Sequence, residues 1–358
     1  MDGRSMTERY SYRAAGVDID AADAVKRRIA GNVSSRGLSH CMPLNRVGAF
    51  ASLVELDLSG YENPVFVLKS EEPGSKQLLS IAQGRIEWIA RDLINHLVND
   101  IIVMGVNPCA VLDTIICGKL ESDVVLRLIA EMSDACAENG CILVGGETSE
   151  QPGTLPAGRY ILQASILGIV GKDRIIDGAK IKSGDVLLAL ASNGLHTNGY
   201  SLVRKLIEEK PAILDENIDG MDFMDAVLQP HMSYANAVKG LIANHFDAIR
   251  GMAHITGGGM RDNLLRILNA EDLCAEIDLP AVRPPGIFGV VKRYAGVGDD
   301  EMLRTFNNGV GMILVADGEK AGEIARALCD GGTCAYEIGR IKEGPRAVNF
   351  IGSLRYGI

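Results

Sequence analysis

Apolar positions along the chain follow two alternating rhythms. Short β-branched runs, beginning with PVFVLK at 64 to 69, give way to stretches where apolar residues return every three or four positions, as Ile86, Ile89, Leu93 and Leu97 do. The first rhythm predicts strands and the second predicts amphipathic helices. A second helical pattern from Ser122 to Glu138 leads through Asn139-Gly140 into CILVGG, and a Pro/Gly-rich stretch then precedes the strand-like RYILQASILGIVG. From Gly171 to Gly184 the chain turns polar and glycine-punctuated, after which Val186 to Ala191 opens a new apolar strand. Helical patterns follow at Gly199 to Glu209 and Asp222 to Asn244, then the loop HITGGG at 254 to 259, then further alternation through GVGMILVA, KAGEIARAL and CAYEIGRI. With helix and strand mixed throughout, the expected architecture is α/β (α+β) in two domains, 1–171 and 172–358. No solenoid period, heptad array or low-complexity tract competes with it.

Composition narrows the function classes. The 358 residues are 47% hydrophobic and 23% charged, with a net charge of −10. That is the balance of a globular protein, and the acidic excess argues against nucleic acid or an anionic membrane as partner. The opening MDGRSMTERYSYR has no apolar core of the secretory type. Apolar stretches such as 160–170 fall short of the roughly 20 residues that span a bilayer. A cytoplasmic protein is expected. The eight cysteines include no C-x-x-C pair, so reduced, mostly buried thiols are expected rather than a zinc or redox motif.

Five segments carry candidate chemistry. Asp92, His96 and Asn99 lie at i, i+4 and i+7 on the long helix, opposite its apolar stripe, with Asp100 beside them. That face is either solvated or, through Asp92, Asn99 and Asp100, the hard-oxygen ligand set of a divalent cation. Gly145-Gly146-Glu147 after the strand CILV reads either as a plain glycine turn or as a ligand site at a strand's carboxyl end, with Glu147 a metal ligand or hydrogen-bond acceptor. The loops SNGLHTNG at 192 to 199 and HITGGG each bring a histidine and glycines to the start of a predicted helix. Such loops present backbone N–H groups to a phosphate, lined here by Asn198, Thr256, Gly257, Gly258 and Gly259. His196 and His254 are candidates for general acid or base, against the alternative of capping or core roles. The stretch Glu71 to Lys76 lacks Walker A spacing and reads as a solvated turn, with Lys76 a weak phosphate candidate.

Six ordered blocks then give a resemblance: YRAAGVDID (12 to 20), VNDIIVMGVNP (98 to 108), LVGGETSEQPG (143 to 153), SNGLHTNGYSLVRK (192 to 205), HITGGG and RTFNNGVGM (304 to 312). From about Tyr12 to Ile341 the chain resembles the phosphoribosylformylglycinamidine cyclo-ligase (aminoimidazole ribonucleotide synthetase) family of the purine pathway. The resemblance implies a homodimer formed through the N-terminal sheets, use of ATP and Mg²⁺, and phosphorylation of an amide oxygen followed by ring closure. Carried over by position, it implies Asp92, Glu71 and Asp100 at the metal. It implies Glu71, Ser75, Lys76, Asn99, Asp100, Gly145, Gly146 and Glu147 at the nucleotide, and His196 and His254 at the reacting groups. The chain departs from the family pattern in three places. D-G-V-G-T-K becomes Glu71-Glu72-Pro73-Gly74-Ser75-Lys76, G-G-F-G-A becomes Asn45-Arg46-Val47-Gly48-Ala49, and Thr plus a basic residue after Pro230 becomes His231-Met232. Glu72 adds negative charge near a triphosphate and Pro73 removes an N–H donor. The alternative reading is a paralogue that binds a ribonucleotide as a regulatory subunit without turning over ATP.

Overall fold

The computed structural model describes residue 28, residues 38–46 and residues 48–357. The block YRAAGVDID lies outside them. The first sheet is assembled from β3 (Pro64–Glu71), β4 (Asn107–Cys117), β5 (Ile142–Glu150) and β6 (Tyr160–Gly171), in the order β3-β6-β4-β5, following a small hairpin of β1 (Cys41–Pro43) and β2 (Val54–Leu56). β4 runs parallel to β5 and antiparallel to β6. Between these strands come α1 (Lys76–Ala82), α2 (Ile86–Ile102) and α3 (Ser122–Glu138). The i, i+3, i+4 rhythm of α2 buries Ile86, Ile89, Leu93 and Leu97, so this helix forms because its apolar stripe has a sheet to cover. The β1–β2 hairpin covers part of the opposite face, where Cys41 packs with Cys109, Ala110, Ile142, Val144 and Ile169, and among the described residues Phe66, Leu68, Leu112 and Ile161 are exposed there.

The second domain holds a mixed six-stranded sheet ordered β10-β12-β7-β13-β11-β14. Its strands are β7 (Val186–Ala191), β10 (Ile249–His254), β11 (Leu273–Asp278), β12 (Val310–Ala316), β13 (Ala335–Glu343) and β14 (Ala347–Ile351), and β8 (Asn217–Ile218) pairs with β9 (Met221–Asp222) separately. Helices α4 (Tyr200–Glu209), α5 (Phe223–Leu228), α6 (Ala235–His245), α7 (Gly259–Leu265), α8 (Gly286–Ala295), α9 (Asp299–Thr305) and α10 (Ala321–Asp330) cover it. The region expected to be helical from Asp222 to Asn244 is two helices. Between α5 and α6 the chain is extended, because Pro230 disfavours helix at the residue before it and cannot donate a backbone bond.

One apolar core runs through both domains. Leu93, Leu97 and Ile101 of α2 belong to the same buried cluster as Leu188 and Leu190 of β7 and Met312 and Leu314 of β12. A second cluster fills the other face of the six-stranded sheet. Burying both faces accounts for the near-continuous apolar runs of β7 and β12. Six of the eight cysteines are buried and all eight are free. Among the described residues no helix is long and apolar enough to cross a membrane.

Candidate active site between the two domains

At Asp92, Asn95 and Asn99 the polar face of α2 is not solvated. It is pressed against the extended segment between α5 and α6, and its side chains take up that segment's backbone groups one after another. Asp92 Oδ1 accepts from the backbone N–H of His231 at 2.7 Å. Asn95 Nδ2 donates to the His231 carbonyl at 2.7 Å, and Asn99 Nδ2 donates to the Met232 carbonyl at 2.8 Å. Asn99 Oδ1 in turn accepts from the Tyr234 N–H at 3.0 Å. An extended segment carries unpaired donors and acceptors that need partners when buried, and the helix supplies them. The solvated-face reading is therefore corrected: Asp92 is 1% and Asn99 0% exposed.

Lys76 is also corrected from a solvated turn, for it is completely buried. Its Nζ donates to Asp92 Oδ1 at 2.8 Å and to the Gln229 carbonyl at 2.6 Å. Burial pushes the lysine down and the carboxyl up, to about 6, and each restrains the other. Ser75 precedes α1 without making a side-chain cap. As placed, Lys76, Asp92 and Asn99 join the domains.

Four histidines from separate elements converge beside this seam. His254, at the end of β10, donates from Nδ1 to Asp100 Oδ1 at 2.8 Å. Lys69 Nζ lies 3.0 Å from Asp100 and 2.9 Å from Glu71. Burial alone would raise the Asp100 carboxyl, but the bond from His254 and the neighbouring positive groups hold it well below the usual carboxylate range. His254 Nε2 lies 3.0 Å from His231 Nε2. Thr197 Oγ1 is 3.3 Å from His231 Nδ1 and 3.2 Å from His96 Nδ1. With Asp100 fixing the tautomer of His254, the network assigns an Nε2–H on His231 donating to His254, and a Thr197 hydroxyl donating to His231 Nδ1.

The His196 ring stacks on His231 with centroids 4.1 Å apart. Burial drives His196 and His231 well below the usual histidine range and His96 to about 4, so these rings are neutral near pH 7. His196 is unusual twice over. Its φ of 57° is left-handed, which is rare for a residue with a Cβ, and neither ring nitrogen has a hydrogen-bond partner although the side chain is buried. Leaving such groups unsatisfied costs about 1–3 kcal/mol each. Room for the ring depends on Gly311, where a Cβ would lie 2.8 Å from His196 Cε1 and 1.8 Å from the Tyr234 hydroxyl.

Beside His254 the loop Thr256 to Gly259 is tied down by Asn263, whose Nδ2 donates to the Gly259 carbonyl at 2.8 Å and to the Gly257 carbonyl at 3.3 Å. Gly258 has a left-handed φ of 87°. Asn198 approaches Gly257, with its buried Nδ2 donor unpartnered. His196, Asn198, His254 and the Thr256 to Gly259 loop therefore lie together.

The other expected group lies apart. Gly145, Gly146 and Glu147 line a cavity of about 820 Å³ together with Gly48, Lys69 and Asp113. They are not a turn after the strand, because β5 continues to Glu150 in register with β4, pairing Gly146 with Asp113 and Glu147 with Thr114. Glycine is required there by proximity, since a Cβ on Gly146 would lie 2.1 Å from Asp113 Oδ1. Asp113 is 5% exposed, its Oδ2 has no partner, and burial reinforced by the Glu147 charge raises its pKa to about 7. An orphaned buried carboxylate beside a second acid fits a hard cation such as Mg²⁺, whereas Asp92 Oδ1 is already taken by two donors. Sequence reasoning missed Asp113 and Lys69, and it named His96 and His231 without bringing them to one site; for Asp113 the available signal was an acid inside the apolar run CAVLDTIIC.

Comparison with known proteins then adds a family. Residues 69–170 match the family model for AIR synthase related protein, N-terminal domain, and residues 182–351 match that for AIR synthase related protein, C-terminal domain. A phosphoribosylformylglycinamidine cyclo-ligase from Methylobacillus flagellatus is 39% identical over 332 residues, covering 93% of this chain and 94% of that protein. Among solved structures, hydrogenase maturation protein HypE of E. coli gives a TM-score of 0.65 at 16% identity, covering 94% of this chain and 97% of that one. HypE in complex with ATP gives 0.61 at 20% identity, covering 83% and 81%. At those identities the structural likeness establishes the fold, with its mixed sheets and flanking helices.

Proposed function

Since the chain belongs to the AIR synthase related family, among its phosphoribosylformylglycinamidine cyclo-ligases, we propose that it is a cytoplasmic, ATP-dependent ligase of purine biosynthesis that closes the imidazole ring of formylglycinamidine ribonucleotide where its two domains meet. The observation that carries this reading is the meeting of Asp100 and His254. The first comes from the N-terminal helix α2 and the second from the C-terminal strand β10, and they form a hydrogen-bonded pair of 2.8 Å beside the unpartnered polar groups of His196 and Asn198.

An amide oxygen is a poor leaving group. Transfer of the γ-phosphoryl of ATP to that oxygen releases ADP and makes it a good one. The attacking nitrogen then forms the new C–N bond as the C–O bond breaks, and phosphate departs. Such chemistry depends on positioning and on donors aimed at developing charge. The Asn198 amide and the backbone of Thr256, Gly257, Gly258 and Gly259 supply donors for the ribonucleotide and the transferred phosphoryl group. His254, oriented by Asp100, carries a proton to or from the reacting nitrogen, and His196 lies alongside. Nucleotide is assigned to the cavity of Gly145, Gly146 and Glu147, and Lys69 links that cavity to Asp100. Asp113 and Glu147 would hold Mg²⁺, which neutralises triphosphate charge when bound. Glu71 and Asp100 reach this region through Lys69, while Lys76, Asp92 and Asn99 act by fixing the domain seam. The exposed apolar positions of that sheet outside the cavity lining, Phe66 and Ile161, fit a homodimer contact.

ADP release from purified protein given ATP, Mg²⁺ and formylglycinamidine ribonucleotide, against a control without the ribonucleotide, tests this reading. Ribonucleotide-dependent release with an imidazole product is expected, and Asp100→Asn should lower kcat by about 100-fold or more. Nucleotide hydrolysis indifferent to the ribonucleotide would overturn it.

A further inference from the structure

The histidine cluster holds more imidazole than proton transfer uses. His196, His231 and His254 each hold one ring nitrogen within 4.8 Å of the other two, all three residues are buried, and the His196 ring, stacked on His231 at 4.1 Å, has to turn to aim its lone pair at a shared ion. We propose that these three nitrogens bind a single divalent transition-metal ion of the zinc class, leaving a fourth coordination position open. The inference goes beyond the cyclisation reading and does not depend on it.

Three arguments support it. Zinc with three histidine ligands and one open position is an established tetrahedral arrangement, and imidazole is a borderline-soft ligand suited to Zn²⁺, Co²⁺, Ni²⁺ or Fe²⁺ rather than Mg²⁺. Ligands at 2.0–2.1 Å from a tetrahedral ion stand about 3.3 Å apart, close to the 3.0 Å between the Nε2 atoms of His231 and His254. The outer partners are also in place. Asp100 accepts from His254 Nδ1 and leaves Nε2 as the ligand atom, and Thr197 stands against His231 Nδ1. In the empty cluster the His231 Nε2–H occupies the gap between the two rings. An entering ion takes its place when His231 changes tautomer, moving that proton to Nδ1, where the Thr197 oxygen accepts it. No proton is gained or lost. His196 has no hydrogen bond to break, since both its ring nitrogens lack partners.

An ion on His254 Nε2 occupies the lone pair that proton transfer needs, so the two occupancies exclude each other. The test therefore uses the full chain, stripped with a chelator, in the absence of nucleotide and ribonucleotide, and its failure leaves the cyclisation reading untouched. Titration with Co²⁺ should develop the visible band of a tetrahedral site at one equivalent. Zn²⁺ should bleach it and Mg²⁺ should not, even at roughly thousandfold excess. His231→Thr should weaken Co²⁺ binding about 100-fold or more, and Asp100→Asn about 10–100-fold by loosening His254. His96→Asn, outside this set of three, should leave the affinity unchanged. Thermal melting of metal-free His231→Thr establishes that it folds, and Asp100→Asn supplies the test if it does not. Absence of the band in the parent protein, or an affinity indifferent to both His231→Thr and Asp100→Asn, overturns the proposal. Loss of binding in His96→Asn with retention in His231→Thr also overturns it.

Discussion

Asp113 offers the sharpest quantitative test of the N-terminal cavity. Its carboxyl is buried, has an oxygen without a partner, and is held at about 7 by burial and by Glu147. In the unfolded chain the same group titrates near 3.9. A group whose folded pKa is raised stabilises the fold below its unfolded pKa and loses that contribution as pH rises through the folded value. Between pH 5 and pH 8 the loss from this one carboxyl is about 2–3 kcal/mol, taking 1.36 kcal/mol per pKa unit. Asp113→Asn keeps the shape that Gly146 accommodates but cannot ionise. The variant should therefore match the parent near pH 4 and exceed it by about 3–4 kcal/mol at pH 8. Denaturant unfolding of both proteins at half-unit pH intervals measures the difference directly, and shared contributions from other groups cancel in it. Millimolar Mg²⁺ should raise parent stability at pH 8 and leave the variant unmoved. A stability difference that stays flat from pH 4 to pH 8 would show that Asp113 is not the neutral buried acid described above.

Three further outcomes follow. Asp92→Leu leaves the Lys76 ammonium buried without its counter-charge and should cost about 3–5 kcal/mol, whereas Lys76→Met/Asp92→Leu should cost less than Asp92→Leu alone; a denaturant series on the parent, Lys76→Met, Asp92→Leu and the double variant reads the coupling. Phe66→Glu, on the exposed face of the N-terminal sheet and outside the cavity lining, should shift sedimentation from dimer to monomer without altering the far-UV spectrum. Gly311→Ala places a methyl against the Tyr234 hydroxyl and His196, and the overpacking should lower stability by about 1–3 kcal/mol.

What the sequence disclosed and what it concealed divide along a physical line. Ser122–Glu138 and Val186–Ala191 appear in the structure with the bounds read from the sequence, because the information that sets them is local: a stripe every three or four residues, or a run of β-branched and aliphatic side chains ended by a turn. The polar face of α2 was equally visible as polarity, but polarity says nothing of what a face meets. Asp92, Asn95 and Asn99 look like any solvated surface until a segment more than 130 residues away brings its backbone against them. Lys76 was misjudged for the same reason, since its counter-charge and carbonyl lie on other elements.

Gly145 and Gly146 show the converse error. Paired glycines after four apolar residues read locally as a turn, yet the parallel partner β4 carries the strand on to Glu150, and the glycines are there to admit Asp113. The histidines make the strongest case. Each is unremarkable in its own segment, one on a helix, two in loops and one at a strand end, and a lone histidine in such a place is more often a core or capping residue than a ligand. Only the two-domain packing brings them within reach of one another, with Asp100 and Thr197 behind them and His196 left without a partner. Chemistry contributed by separate elements is therefore legible in the sequence as a list of residue types and in the fold as a site.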